Sequence, residues 1–287
     1  PCDTGGGGHI VRRALLAVAY FLATGIALAF LVLPIVAIFV HVSPGRLIDQ
    51  LSNRVVIDAL IVSLKTTLIA QVLVLVFGTP TAYLLASRRF PGRSLCVTLV
   101  ELPLVLPPAV AGIGLLVAFG RAGLLGSTLS WFGITLPFTQ TAVTIAVAFV
   151  SSPLYVRQAI AAFEAVDPNL VAASRTLGAG PARTFFRVVL PLARGGLTAG
   201  EALAFARGLG EFGATIMFAG SLQGVTQTLP LAIYAQFEVD FDVTLAISAL
   251  LVLISAALLI SLKLASLWPW QPSAQTSPSR FGLLSWS

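Results

Sequence analysis

The chain has 287 residues, 57% of them hydrophobic and 10% charged, with a mean hydropathy of +0.97. Soluble domains carry about 25% charged residues, so this composition excludes a soluble globular protein and points to a membrane-embedded one. The formal net charge of +6 comes from 17 Lys and Arg against 11 Asp and Glu. In so apolar a chain it reflects basic residues gathered on the cytoplasmic side of a bilayer, not a surface for nucleic acid.

Residues 1–13, PCDTGGGGHIVRR, read as a disordered tail. Six apolar stretches follow: Ala14–Val40, Ala59–Leu85, Leu95–Phe119, Thr141–Phe163, Leu197–Ala219 and Val243–Leu267. Each is long enough to cross a hydrocarbon layer of about 30 Å. The first follows Arg12 and Arg13 but is too long for a signal-peptide core and has no clear small-residue cleavage site, so it reads as a retained span. An all-α, polytopic membrane fold with six transmembrane helices is expected over residues 14–268. Trp268 and Trp270 stand where an interfacial aromatic belt belongs. Residues 269–287 are rich in Pro, Ser and Gln and read as a disordered tail, with no fused regulatory domain expected.

Basic residues set the orientation. Arg12, Arg13, Arg88, Arg89, Arg93, Arg157, Arg175, Arg183, Arg187, Arg194, Lys263 and Arg280 fall on one side, against Arg46, Arg54 and Arg121 on the other. The richer side is cytoplasmic. Both termini and the loop between the fourth and fifth stretches are therefore expected in the cytoplasm of a prokaryote's plasma-membrane protein.

The third span is irregular and the fifth is charged. The third reads ELPLVLPPAVAGIGLL and holds Pro103, Pro107 and Pro108, each of which removes a backbone donor. Freed backbone groups are tolerated at membrane depth only where protein or a watery cavity satisfies them, so this span should face the bundle interior. The fifth reads EALAFARGLGEFGATIMFAG and carries Glu201, Arg207 and Glu211. Intramembrane charges face inward and pair, and Arg207 and Glu211, four apart, are expected on one helix face. Pro107, Pro108, Arg207, Glu211 and Thr215 are thus the candidates for a translocation path. Gly208, Gly210, Gly213 and Ala214 permit close helix approach. An internal pair that only holds helices together fits the same charges.

Between these spans lies a polar, basic island, DPNLVAASRTLGAGPARTFFRVVLP. Asp167 suits a helix cap and Pro168 a first turn. The helix should run over Asn169–Leu177, with Gly178 as the left-handed residue beyond its end. A second short helix is expected from Pro181 to Pro191. Neither is long enough to cross a bilayer, and together they read as a cytoplasmic docking surface within the loop 164–194.

Catalytic signals are missing. The histidines, His9 and His41, belong to no HExxH, and there is no GxSxG, no CxxC and no metal spacing around Cys2 or Cys96. No GxxxxGK[ST] loop is present, so nucleotide hydrolysis is expected on another polypeptide. No catalytic residue, metal or cofactor is expected.

The segment AASRTLGAGPARTFFRVVLP resembles the cytoplasmic signature loop of ABC importer permeases, a Glu-Ala-Ala triplet, a later glycine and a terminal hydrophobic-x-Leu-Pro. The triplet falls on Ala172, Ala173 and Ser174, with Ala172 in place of the Glu. The glycine is Gly178 and the end is Val188, Val189, Leu190 and Pro191. The resemblance implies that Ala172, Ala173, Ser174, Arg175, Gly178, Leu190 and Pro191 belong to a coupling helix and its flanks, seated on an ATP-binding subunit. NRVVIDALIVSLKTTLIAQVLVLVFGTPTAYLLASRRFPGR, LPLVLPPAVAGIGLL and GEFGATIMFAG followed by TQTLPLAIY are similar to the molybdate-type permease subunit, over roughly Val55 to Leu264. It further implies a homodimer of permease copies, two ATP-binding cassette subunits, an external substrate-binding protein and an oxyanion substrate. Thr215, Ser221, Gln223, Thr226, Gln227 and Thr228 would then line the outer end of a weakly binding polar path.

Three alternatives stay open. A sulfate or tungstate permease shares the motifs. A stand-alone channel or secondary transporter suits the spans but leaves the capped loop without a role. An intramembrane protease needs a catalytic pair inside the spans, which the sequence does not offer.

Overall fold

The computed structural model describes residues 6–41 and 44–267. The long helices are α1 (Gly6–His41), α3 (Arg54–Ser87), α7 (Gln140–Glu164), α10 (Leu190–Leu209) and α13 (Phe241–Leu267). Shorter ones are α2 (Pro44–Leu51), α4 (Arg93–Val105), α5 (Pro108–Phe119), α6 (Gly126–Trp131), α8 (Pro168–Thr176), α9 (Pro181–Thr184), α11 (Gly213–Ala219) and α12 (Leu229–Gln236). Among the described residues five helical runs are long and apolar enough to cross a membrane, and α4 with α5, bent by 113°, makes a sixth when the pair is counted as one span.

Several boundaries differ from the sequence reading. The tail expected over residues 1–13 is already helical from Gly6, because a helix nucleated by an apolar span extends at one bond per residue. Residues 1–5 and 268–287 lie outside the described residues, and with them the expected aromatic belt and C-terminal tail. The second loop helix does not stop at Pro191. α9 passes through a π turn at Phe185–Val189 straight into α10. There the Leu190 N–H donates to the Phe185 carbonyl, five residues back. The widened turn gives the Pro191 ring room, so proline marks a bulge and not an end. The stretch Leu197–Ala219 is likewise not one helix. α10 closes at Gly210, and α11 begins afresh at Gly213.

Helix α7 is the centre, packed between α3 and α10. One apolar cluster joins Ala111, Ala142, Val143, Ala146, Val147, Ala214 and Phe218 from α5, α7 and α11. A second joins Val74, Tyr155, Ala159, Phe163, Val189 and Ala193 from α3, α7, the π turn and α10. A third joins Val56, Ala59, Leu229, Val243 and Ile247 from α3, α12 and α13. None of these is a large-residue core. In lipid, apolar side chains gain little by leaving one hydrocarbon for another, so helices associate through close packing of small residues.

The α7–α10 seam shows this directly. Gly196, Gly200, Ala204 and Gly208 recur every fourth residue along one face of α10. A Cβ at Gly196 would lie 2.5 Å from Ala162 Cβ, one at Gly200 2.8 Å from Gln158 Cβ, and one at Gly208 2.8 Å from Val147 Cγ1. Gly195, about 100° round the helix from Gly196, has nothing within 4 Å of its would-be Cβ. Gly200→Val should therefore cost about 1–3 kcal/mol through overpacking, whereas Gly195→Ala should stabilise by roughly 0.5–1 kcal/mol. Thermal unfolding of the detergent-solubilised variants checks this, and equal shifts would contradict the seam.

Candidate coupling surface and translocation path

The loop that carries α8 and α9 is built by local capping. Asp167 Oδ1 accepts from the Asn169 N–H at 2.8 Å, and Pro168 opens α8. At the other end Gly178 has φ +81°. The Gly178 N–H donates to the Arg175 carbonyl and the Ala179 N–H to the Ser174 carbonyl, each at 3.0 Å. This pairing closes the helix with its last carbonyls satisfied. Ser174 and Thr184 share a hydroxyl hydrogen bond of 2.9 Å, which ties α8 to α9.

The loop is also anchored to the spans. Tyr83 of α3, Phe163 of α7 and Phe185 of the π turn form an aromatic cluster, with Tyr83 5.4 Å from Phe163 and 4.7 Å from Phe185. Against this fixed base Ala172, Ala173, Arg175 and Gly178 are exposed, and Leu177 is 86% exposed. Leu190 is half-buried and Pro191 exposed where the loop becomes α10. Of the residues expected in the coupling role, Ala172, Ala173, Arg175, Gly178 and Pro191 are thus exposed, while Ser174 and Leu190 are half-buried. The aromatic anchor was missed, although Phe185 and Phe186 stand out in so basic a segment.

The second site is a pair of helix breaks. Pro107 caps α5 and Pro108 is its first residue, at the 113° bend, and both are exposed. α11 begins beside them, since a Cβ at Gly213 would lie 2.6 Å from Pro108 Cβ. Two short helices therefore start at one point, with their partially positive N-terminal ends together. Arg207 and Glu211 stand at the same break. Glu211 is 1% exposed, and its Oε2 lies 2.7 Å from Arg207 Nη1. Its Oε1 accepts from the Ala214 N–H at 2.7 Å. The pair was expected on one helix face. Instead it bridges two helices, because Gly210 ends α10 and the Glu211 carboxylate takes up a free donor at the start of α11.

Thr215, the fifth candidate, is fully buried within the one chain, with its hydroxyl enclosed by protein. Thr226, Gln227 and Thr228 are buried too. The Leu222 N–H donates to Thr226 Oγ1 at 3.0 Å and Gln227 Nε2 donates to Ser221 Oγ at 3.3 Å, so these side chains hold the loop's shape. Ser221 and Gln223 remain exposed. Two ion pairs escaped the sequence reading. Arg93–Glu164 at 2.6 Å and Arg157–Glu101 at 3.6 Å clasp α4, which buries none of its residues, against α7. Lys65 donates to Gln140 Oε1 at 2.8 Å, and Glu201 Oε2 is buried without a hydrogen-bond partner among the described residues. No cluster of three or more His, Cys, Asp or Glu that could hold a metal occurs among the described residues.

Residues 75–267 match the family model of the binding-protein-dependent transport system inner membrane component. The chain belongs to this family. It is 45% identical over 212 residues to the molybdenum transport system permease protein ModB of Escherichia coli K12, covering 74% of this chain and 92% of the relative. It is 39% identical over 252 residues to the probable transport system permease protein NifC of Clostridium pasteurianum, covering 88% of each. The sulfate transport system permease protein CysT of Salmonella typhimurium is 35% identical over 270 residues, covering 92% of this chain and 94% of the relative. Among solved structures, a bacterial alginate ABC transporter in complex with a pentasaccharide-bound periplasmic protein matches with a TM-score of 0.67 at 18% identity, covering 90% of this chain and 94% of that one. The inward-facing methionine transporter MetNI matches with a TM-score of 0.58 at 19% identity, covering 74% and 94%. The chain is the membrane-spanning permease subunit of an ABC importer, and the interrupted helices and projecting loop are parts of that permease.

Replacing Glu211 alone should be severe. Glu211→Leu leaves the Arg207 guanidinium and the Ala214 N–H without their partner, at a cost of about 3–5 kcal/mol. The double variant R207M/E211L should lose less, since no unpaired charge remains. Thermal unfolding of both checks this, and a double variant as unstable as the single one would contradict it.

Proposed function

We propose that the importer carries molybdate. The observation that carries this reading is the identity of 44–45% to permeases named for molybdenum transport, over 212–234 residues. The α5 and α11 breaks support an oxyanion cargo: two helix N-termini and one guanidinium, offset by one carboxylate, give a weakly attractive and nearly neutral place. A site that binds weakly passes its ion on, while a deep trap would hold it. In this reading an external binding protein supplies the affinity, and two copies of the chain enclose the path. Two-fold pairing would bring both copies of the α5–α11 break to a shared axis.

The exposed α8 surface would seat on an ATP-binding subunit in the cytoplasm, with both termini on that side, so that closure of the subunit moves α8 and, through the Tyr83–Phe163–Phe185 anchor, the spans. Hydrolysis would then belong to that partner. Sulfate is the second reading, favoured by the 35% identity to a sulfate permease across 92% of this chain; tungstate shares the chemistry of both.

Purified with its ATP-binding subunit and binding protein in liposomes, the chain should take up molybdate only with ATP, and tungstate should compete while sulfate does not. Competition led by sulfate would keep the architecture and replace the cargo. Uptake without ATP or partner would contradict the proposal. In the same system Gly178→Val should leave hydrolysis in place and lower uptake several-fold, because a β-branched residue in the left-handed region costs about 1–2 kcal/mol and loosens the end of α8. Unchanged coupling in that variant would remove α8 from the coupling role.

A further inference from the structure

The C-terminal end of α3 and the turn between α8 and α9 enclose a cleft of about 400 Å³. Its wall includes Tyr83 and Phe185, whose rings are 4.7 Å apart, and Ser87, Arg88 and Arg175 stand around it. The cations on this side of the molecule fall into two groups. Arg93 is held by Glu164 at 2.6 Å and also donates to the Leu85 carbonyl, and Arg157 faces Glu101 at 3.6 Å. Arg88 and Arg175, like Arg89, Arg183 and Arg187, have no carboxylate partner among the described residues, and of these five only Arg88 and Arg175 line the cleft. Asp167, at the head of α8, is engaged by the Asn169 N–H.

Two guanidinium groups lining one concavity repel each other until an anion joins them. Each presents a planar fork of donors that matches two oxygens of a phosphate-type group. The cleft also lies where basic pockets between helix ends meet anionic headgroups. We propose that this cleft binds a phosphate-type oxyanion between Arg88, just beyond the end of α3, and Arg175 of α8. The ligand bridges a membrane span and the projecting helix, so its occupancy sets how firmly the loop follows α3. A lipid phosphodiester and a free oxyanion carry the same chemistry. The site is separate from the α5–α11 break and does not depend on which cargo is carried.

The test uses the full-length chain in phosphatidylcholine nanodiscs. One arm measures binding of radiolabelled inorganic phosphate by equilibrium dialysis. The other measures retention of added phosphatidylglycerol by native mass spectrometry. Arg88→Gln and Arg175→Gln are compared with Arg89→Gln, which removes the same charge from an exposed neighbour outside the cleft. Thermal unfolding in the same discs confirms that each variant is folded. Arg88→Lys, which keeps the charge and loses the fork, should fall between wild type and Arg88→Gln. Saturable phosphate binding weakened about tenfold by Arg88→Gln and Arg175→Gln, and not by Arg89→Gln, supports the site with a free oxyanion as its ligand. The same pattern in phosphatidylglycerol retention supports it with a lipid headgroup. Absence of binding in both arms, or equal loss with Arg89→Gln, overturns the proposal.

Discussion

A helix that stops inside a hydrocarbon layer leaves backbone donors and acceptors with no water to meet them. This chain stops or bends helices at two such places, at Leu106–Pro107 and at Gly210. Its answer is chemical at one and compositional at the other. Proline begins α5, so one N-terminal donor is simply missing. At α11 the buried carboxylate of Glu211 accepts the Ala214 N–H, and the Arg207 guanidinium offsets its charge. The breaks can then lie against each other, because Gly213 and Gly112 bring α11 onto α5 with no side chain between. The geometry of the break therefore hangs on one carboxylate.

The rest of the fold serves to keep that break in place and connected to the α8–α9 loop. The glycine and alanine stripe of α10 lets it lie directly on α7, so a shift at the N-terminal end of α10 is felt along its length. That end is continuous with α9 through the π turn, and α9 is bonded to α8 by the Ser174–Thr184 pair. One backbone path thus runs from the projecting α8 to the Arg207–Glu211 pair. Transmission along such a path needs two stable arrangements of the same elements. The ion pairs that hold the otherwise unburied α4 against α7 offer a contact that opens without breaking a core.

Much of the architecture was legible from simple signals. Apolar length gave the spans, and Asp167, Pro168 and Gly178 gave α8 nearly to the residue. Proline was less transparent. Pro107 and Pro108 mark a break, yet Pro191 lies inside a continuous helix, since a local pattern does not tell whether the preceding turn widens. The spacing of Arg207 and Glu211 showed that they meet but not that Gly210 comes between them. Thr215 stood out as a candidate because it is polar in an apolar span. Its enclosure depends on α5, α7 and α11 packing around it, which only the three-dimensional arrangement supplies. The Arg93–Glu164 and Arg157–Glu101 pairs, 71 and 56 residues apart in sequence, had no local signature for the same reason.

In the proposed importer the α4–α5 break lies on a water-filled path. The most direct test puts a single cysteine at Val105, which is 82% exposed beside the bend, in a background without the native cysteines. Its reaction with a small, water-soluble thiol reagent is then followed in the reconstituted transporter, with and without ATP. A second cysteine at Phe30 on α1, 76% exposed along a lipid-length span, gives the rate for a hydrocarbon-facing site. The account predicts that Val105→Cys reacts much faster than Phe30→Cys and that ATP changes its rate. Equal, slow reaction at both positions would put the break against lipid and contradict the path.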